Sequence, residues 1–262
     1  MRFDNKVIII TGAANGLGLD AAGGFAREGG RVLMVDRDPG GADGTAALVA
    51  QGHDVCFHQA DVTQDAQVRG YVAAAMQAWG RVDCFFNNAG IEGQVRPLVE
   101  QEEAVFDAVI AVNVKGVFLG MKHVLPVMLA QGKGAVVNTA STAALVGSVG
   151  LGPYVASKHA VLGMTKTAAG EVARGGVRVN ALCPGPTDTR MIHSLEEQAA
   201  ARGANDVAER YKAAIPLGRY CTPAEVTAMV LFLCSDEASG ITGGQFQVDG
   251  GRTACPGGSA WR

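Results

Sequence analysis

Lys6-Val-Ile-Ile-Ile10 runs straight into Thr11-Gly12-Ala13-Ala14-Asn15-Gly16-Leu17-Gly18, and the reading of this junction decides the fold. An apolar run without polar alternation is the pattern of a strand buried on both faces, as in parallel sheets covered by helices on either side. The turn after it carries glycines at 12, 16 and 18 and opens a helical stretch through Glu28. Glycine lets backbone approach a ligand closely, and amides at a helix N-terminus face negative charge. The junction therefore reads as a pyrophosphate cradle formed by Gly12, Asn15, Gly16, Leu17 and Gly18. Its spacing is G-x3-G-x-G, not the G-x-G-x-x-G of the ordinary dinucleotide fingerprint.

Outward from the junction, strand-like and helix-like patterns alternate to the end of the chain. Strands are expected at 31–35, 54–58, 82–86, 135–138, 177–182 and 245–248, with helices at 40–51, 65–79, 101–130, 153–173 and 223–234. In the longest helix the apolar positions Phe106, Val109, Ile110, Val117 and Met121 recur at helical spacing. This alternation predicts an α/β fold: a Rossmann-like, doubly wound parallel sheet of about seven strands with helices on both faces, joined by right-handed βαβ units. No linker or internal repeat interrupts it. The expectation is a single domain over 1–262, with a polar, helical-looking lid segment at 190–216 and a tail at 252–262.

Bulk composition excludes several function classes. The 22 basic and 25 acidic residues leave a net charge of −3, which gives no electrostatic case for nucleic acid or an anionic membrane. The apolar run at 7–10 is too short to span a bilayer, so the expected location is cytoplasmic. Six cysteines include no CxxC pair and five histidines show no HxxxH or HExxH spacing, so no metal is expected. Glycine occurs 36 times in 262 residues, about twice the usual ~7%, without a Gly-X-Y period. Gly23 and Gly24 stand inside the first expected helix, where sequence offers no reason for them.

Asp36 closes the second strand. A carboxylate there accepts hydrogen bonds from adenosine ribose hydroxyls and repels a 2′-phosphate, which favours NAD over NADP. Arg37 beside it has the charge to pair with that phosphate. Tyr154 and Lys158 fall one helical turn apart on one face. An ammonium near a phenol favours the phenolate and brings the tyrosine toward the working range of a general acid or base. Alone, such a pair also arises by chance. Ser141, at the end of the fifth strand, lies at the sheet edge where open α/β sheets bind ligands. Asn113 lies on the apolar side of the long helix, where a structural hydrogen bond is the plain alternative to a role in chemistry.

Together the ordered segments resemble the short-chain dehydrogenase/reductase family in its single-domain form, over roughly 3–251. The matching pieces are the turn at 11–18, Asp61-Val62, Asn87-Asn-Ala-Gly90, Asn113, Ser141, Tyr154-Val-Ala-Ser-Lys158, Pro184-Gly185 and Val248-Asp-Gly-Gly251. The resemblance implies a catalytic tetrad of Asn113, Ser141, Tyr154 and Lys158. In it, Tyr154 is the acid/base, Ser141 holds the substrate oxygen, Lys158 binds the nicotinamide ribose, and Asn113 anchors a proton-relay water through its carbonyl. It also implies cofactor contacts at Asp61, Val62, Asn88, Ala89, Gly90, Pro184, Gly185, Thr187 and Thr189, and a homotetramer.

For the substrate, the expected pocket residues are Ser141, Ala143, Leu151, Tyr154, Gly185, Met191 and Ile192, with 92–97, 142–146 and Leu195 nearby. These are mostly aliphatic or small, and Arg96 is the one arginine among them, which points to a small, cyclic or largely apolar secondary alcohol or ketone. The alternatives are a 3-oxoacyl-thioester reductase and, in a different class, a non-catalytic NAD-binding regulator. Trp261 on the tail reads either as disorder or as a cap on a neighbouring subunit.

Overall fold

In strand β1 (Val7–Thr11) every residue is buried, and alternate side chains serve opposite layers. Val7 and Ile9 pack with Phe85, Val117 and Val136, whereas Ile8 and Ile10 pack with Phe25, Val226 and Val230. This two-sided burial is why the run lacks polar alternation.

The computed structural model describes residues 1–255. Six further strands join β1: β2 (Arg31–Asp36), β3 (Val55–Gln59), β4 (Cys84–Asn87), β5 (Gly134–Thr139), β6 (Val177–Pro184) and β7 (Gln245–Val248). They form one parallel sheet in the order β3-β2-β1-β4-β5-β6-β7. The doubly wound α/β expectation holds. Strand order reverses between β1 and β4, and the crevice beyond the carboxyl ends at such a reversal is where this architecture takes ligands.

The helices are α1 (Gly16–Arg27), α2 (Gly41–Ala50), α3 (Asp65–Trp79), α4 (Glu103–Ile110), α5 (Val117–Gln131), α6 (Gly152–Val172), α7 (Arg190–Ala201), α8 (Val207–Ala213) and α9 (Pro223–Cys234). Helices α1 and α9 cover one face of the sheet, and α3, α5 and α6 cover the other. Among the described residues no group of His, Cys, Asp and Glu is placed to hold a metal, and Cys56, Cys84, Cys183, Cys221, Cys234 and Cys255 are free thiols.

Two expectations need correction. The single helix expected at 101–130 is α4, a π-helical turn at Ala111–Gly116, and α5, preceded by a separate 3-10 turn at Leu98–Glu100. Apolar residues stand on both sides of the turn (Val109, Ile110, Val112, Val114, Val117), so a one-residue shift in register leaves little mark on the periodicity. Phe106, counted in the apolar series, is 44% exposed because α4 packs chiefly on α6. The span Glu103–Gln131 is long and apolar enough to cross a membrane, yet Val117, Leu119, Met121, Val124 and Met128 within it belong to the core. The segment expected as a lid is likewise two helices, α7 and α8, parted by a turn containing Gly203 and the left-handed Asp206.

The structure accounts for Gly24. A Cβ at this position would lie 2.8 Å from Thr227 Cγ2 and 3.4 Å from Leu231 Cδ1, both on α9. Thr227 has little room to yield, because its hydroxyl donates to Asp20 Oδ2 at 2.5 Å. Gly24→Ala is therefore expected to destabilise by about 1–2 kcal/mol despite the better helix propensity of alanine. Gly170→Ala, at an exposed helical glycine with nothing near its Cβ, should stabilise by about 0.5–1 kcal/mol. Chemical denaturation of the two variants checks the contrast.

Candidate active site

Thr11, the last residue of β1, ties together the strand ends around the crevice. Its hydroxyl oxygen accepts from Asn88 N at 2.9 Å and Ala89 N at 3.1 Å. Asn88 Nδ2 donates to the carbonyls of Thr11 (3.1 Å) and Gly12 (3.3 Å), and Thr139 Oγ1, from β5, donates to Asn88 Oδ1 at 3.1 Å. The loop after β4 is thereby held against the glycine turn. Gly12 has φ +67°, and a Cβ there would sit 2.9 Å from Ala89 Cα, so close backbone approach demands glycine.

Helix α1 begins at Gly16 with no side-chain cap, which leaves its first amides free to meet an anion. Gly18 is a correction to the phosphate set. It is buried inside α1, where a Cβ would come within 2.1 Å of the Gly12 carbonyl oxygen, so it lets the helix start pack against the turn and does not line the cleft. Asp36, at the end of β2, receives hydrogen bonds from Ala14 N and Asp38 N, each at 3.0 Å. It braces the glycine turn as well as facing the cleft.

On the chemical side, Asn113 lies within the π turn, fully buried. Its Oδ1 accepts from Ile91 N at 2.9 Å, and its Nδ2 donates to Ile91 O (2.9 Å) and Ser157 Oγ (3.0 Å). Ser157 Oγ in turn donates to the carbonyl of Tyr154 at 2.7 Å. Asn113 thus fixes the β4 loop relative to the turn of α6 that carries Tyr154, and its side chain stands behind the cleft wall. Lys158 is 3% exposed, donates to Thr139 O at 2.8 Å and lies 5.5 Å from the Tyr154 ring centroid. Ser141 starts a short 3-10 turn, its Oγ accepting from Ala143 N at 3.1 Å.

These groups border one cleft of about 390 Å³. At one end stand Gly12, Asn15, Gly16, Leu17, Asp36, Arg37, Asp61 and Val62. Asn88, Ala89, Gly90, Pro184, Gly185, Thr187 and Thr189 form its middle, and Ser141, Ala143, Leu151, Tyr154, Lys158, Met191 and Ile192 the other end. Of the expected site residues, Gly18 and Asn113 alone do not line it. Within 92–97 only Glu92 reaches the cleft, while Arg96 pairs with Glu102. Sequence reasoning missed Val112, Ser148, Arg190, Tyr211 and Arg252. No local pattern marks these five, because the lid and the start of the tail deliver most of them. The cleft is accordingly richer in arginine than the sequence implied. The tail beyond 255, Trp261 included, lies outside the described residues.

The protonation order differs from the expectation that Lys158 brings the phenol down. Burial pushes the Tyr154 hydroxyl up to about 12, the Ser141 hydroxyl opposes this in part, and the Glu92 charge adds to it. Burial also pulls Lys158 down to about 8. In the free protein, burial is the largest cause of both shifts.

The residues present fit a nicotinamide dinucleotide: uncapped amides where a pyrophosphate would lie, a strand-end carboxylate for a ribose, and a buried ammonium that has a single acceptor among the described residues.

The family model described as Enoyl-(Acyl carrier protein) reductase matches residues 12–253. Levodione reductase of Leifsonia aquatica is 40% identical over 97% of this chain and 96% of its own. Cyclohexanol dehydrogenase of Acinetobacter sp. is 39% identical over 97% of each chain. A 3-oxoacyl-[acyl-carrier-protein] reductase of Thermotoga maritima is 40% identical over 96% of this chain and 99% of its own. Among solved structures, levodione reductase superposes with a TM-score of 0.94 at 40% identity, covering 97% of this chain and 100% of that one. An NAD+-bound xylitol dehydrogenase gives 0.93 at 32% identity, covering 96% and 100%. An actinorhodin polyketide ketoreductase with NADPH gives 0.90 at 36% identity, covering 94% and 97%. Motifs, sheet order, cleft and likeness agree: this chain is an oxidoreductase and belongs to the short-chain dehydrogenase/reductase family.

Proposed function

We propose that the protein uses NAD(H) to interconvert a small, cyclic or largely apolar secondary alcohol and its ketone, with Tyr154 as acid/base. The observation that carries this reading is the single cleft with Asp36 at one end and Ser141, Tyr154 and Lys158 at the other. Hydride exchange at the substrate carbon is the chemistry that a bound nicotinamide supplies.

This chain's own residues handle the oxygen and its proton. The Ser141 hydroxyl donates to the substrate oxygen and orients it toward Tyr154. The phenol of Tyr154 gives its proton to that oxygen in ketone reduction and takes it back in alcohol oxidation. Lys158, anchored on Thr139 O, directs its remaining N–H bonds into the cleft for a ribose hydroxyl. Asn113 keeps the Tyr154 turn and the β4 loop in register. Ala143, Leu151, Met191 and Ile192 supply apolar cover for the substrate.

The preference for NAD rests on the Asp36 carboxylate, which disfavours a 2′-phosphate. Arg37, beside it on the cleft wall, is the counterweight. We also propose a cytoplasmic homotetramer. In support of self-association, Phe106, Phe118 and Leu129 along Glu103–Gln131 are 44%, 49% and 41% exposed.

The test is turnover of purified protein with NAD and with NADP over a panel of secondary alcohols, followed by absorbance of the reduced nicotinamide. NAD should give the higher kcat/KM. Asp36→Asn, which keeps an acceptor for Ala14 N but removes the charge, should move the NAD:NADP ratio about ten- to a hundredfold toward NADP. A wild-type preference for NADPH together with 3-oxoacyl thioesters would replace this reading with the biosynthetic reductase.

A further inference from the structure

Glu92 is the acidic group at the chemical end of the cleft, and the fold takes care over its position. The residue before it, Ile91, is held through both backbone polar atoms by the Asn113 side chain. On the other side, Gln198 of the lid helix α7 donates to Gly93 O at 3.4 Å and accepts from Val95 N at 2.9 Å. Two clamps therefore fix the backbone that carries Glu92, and one of them is the network that also holds Tyr154. The side chain is half-buried on the cleft wall. Among the described residues no ion pair or hydrogen bond engages its carboxylate. It lines the same cleft as Ser141 and Tyr154, and its charge adds to the rise of the Tyr154 phenol.

The cleft wall at this end includes the apolar Ala143, Val146, Leu151, Met191, Ile192 and Leu195. A carboxylate in such a setting accepts hydrogen bonds and is costly to desolvate without a donor. The carboxylate is half-exposed to water in the free protein, so a substrate that displaces this water has to bring a donor of its own. An ammonium is disfavoured because Lys158, Arg190 and Arg252 border the same cleft. A substrate carboxylate or phosphate is disfavoured by Glu92 itself. A neutral hydroxyl remains.

Building on the alcohol–ketone reading above, we propose that Glu92 is a specificity-determining residue whose carboxylate accepts a hydrogen bond from a second hydroxyl of the substrate. The preferred substrates are then compact cyclic diols or their hydroxyketones, the carbon ring against the aliphatic wall and the spare hydroxyl on Glu92.

The experiment measures kcat/KM of wild type, Glu92→Gln and Glu92→Ala with NAD, for cyclohexanol and for the isomeric cyclohexanediols. In the reducing direction, cyclohexanone is compared with 4-oxocyclohexanecarboxylate. NADH binding, followed by its fluorescence, shows that each variant is folded. For wild type, at least one diol should exceed cyclohexanol about tenfold. Glu92→Ala should collapse that ratio about ten- to a hundredfold, the worth of a hydrogen bond to a charged group. Glu92→Gln, which keeps an acceptor, should fall between the two. Glu92→Gln should also raise use of the anionic ketone relative to cyclohexanone about tenfold, since the repulsion is gone while Arg190 and Arg252 remain. Diol-to-cyclohexanol ratios that are the same in all three proteins would overturn the role of Glu92 while leaving the oxidoreductase reading intact. A wild-type protein that turns over none of the panel would overturn the substrate reading and this one with it.

Discussion

Tyr154→Phe should lower kcat/KM about 10²–10⁴-fold in both directions, the usual contribution of a positioned proton-transfer group, while NADH still binds. The substitution removes one oxygen and keeps the ring that packs beneath Lys158. Burial holds the Tyr154 hydroxyl up near about 12 in the free protein, so the phenol is protonated at ordinary working pH. The wild-type group is then ready to donate, and ketone reduction should be nearly flat over the neutral range. Alcohol oxidation needs the phenolate and should climb steadily as pH rises toward the tyrosine value. Loss of turnover and loss of that climb must go together in Tyr154→Phe. Turnover at the wild-type level in the variant would remove Tyr154 from the chemistry. A retained climb with reduced rate would assign the titration to another group, and Lys158 is the first to examine.

Local pattern made most of the fold legible. The β1 run and its glycine turn announced a two-sided parallel sheet, and the YxxxK spacing put Tyr154 and Lys158 on one face of α6. What stayed hidden depends on contacts distant in sequence. Gly24 has a reason once α9 is seen to lie against it, more than 200 residues further along the chain. The π turn at Asn113 is invisible because an inserted residue costs an apolar stretch none of its hydrophobicity. Asn113 follows the structural reading in its side chain, which is fully hydrogen-bonded and ties the loop after β4 to the turn of α6 that carries Tyr154. Arg190 and Arg252 join Glu92 at the cleft from separate segments, so the charges that line it come together only in three dimensions.

Lys158→Met should make the cofactor-free protein more stable and nearly inactive, and the sign of the stability change is the informative part. The lysine is 3% exposed, and among the described residues its ammonium has one acceptor, Thr139 O at 2.8 Å, for three donors. Burial lowers it from an ordinary 10.5 to about 8. Near pH 7 it is charged in both the folded and unfolded chains, so the folded state bears the full cost of a poorly paired buried cation. Methionine fills a similar volume without that cost, at the expense of leaving Thr139 O without its donor. The net gain should be about 1–3 kcal/mol, which for a chain of this size raises Tm by about 2–8 °C. Between the folded value of about 8 and the unfolded value of 10.5, the unfolded wild type holds a proton that the folded protein has released, so wild-type stability climbs with pH. The gap between the two proteins should therefore shrink from pH 8 upward and nearly close by pH 10.5. Tyr154, raised by burial, acts in the opposite direction above its ordinary 10.0, but it does so in both proteins and largely cancels in the comparison. Saturating NADH should reverse the ranking, because the wild-type ammonium then gains the ribose partner for which the site holds it uncompensated. Paired thermal melts across that pH range, with and without NADH, decide the matter. A methionine variant that melts below wild type at neutral pH without cofactor would show that Lys158 is a structural ion, not a charge held at a cost for binding and catalysis.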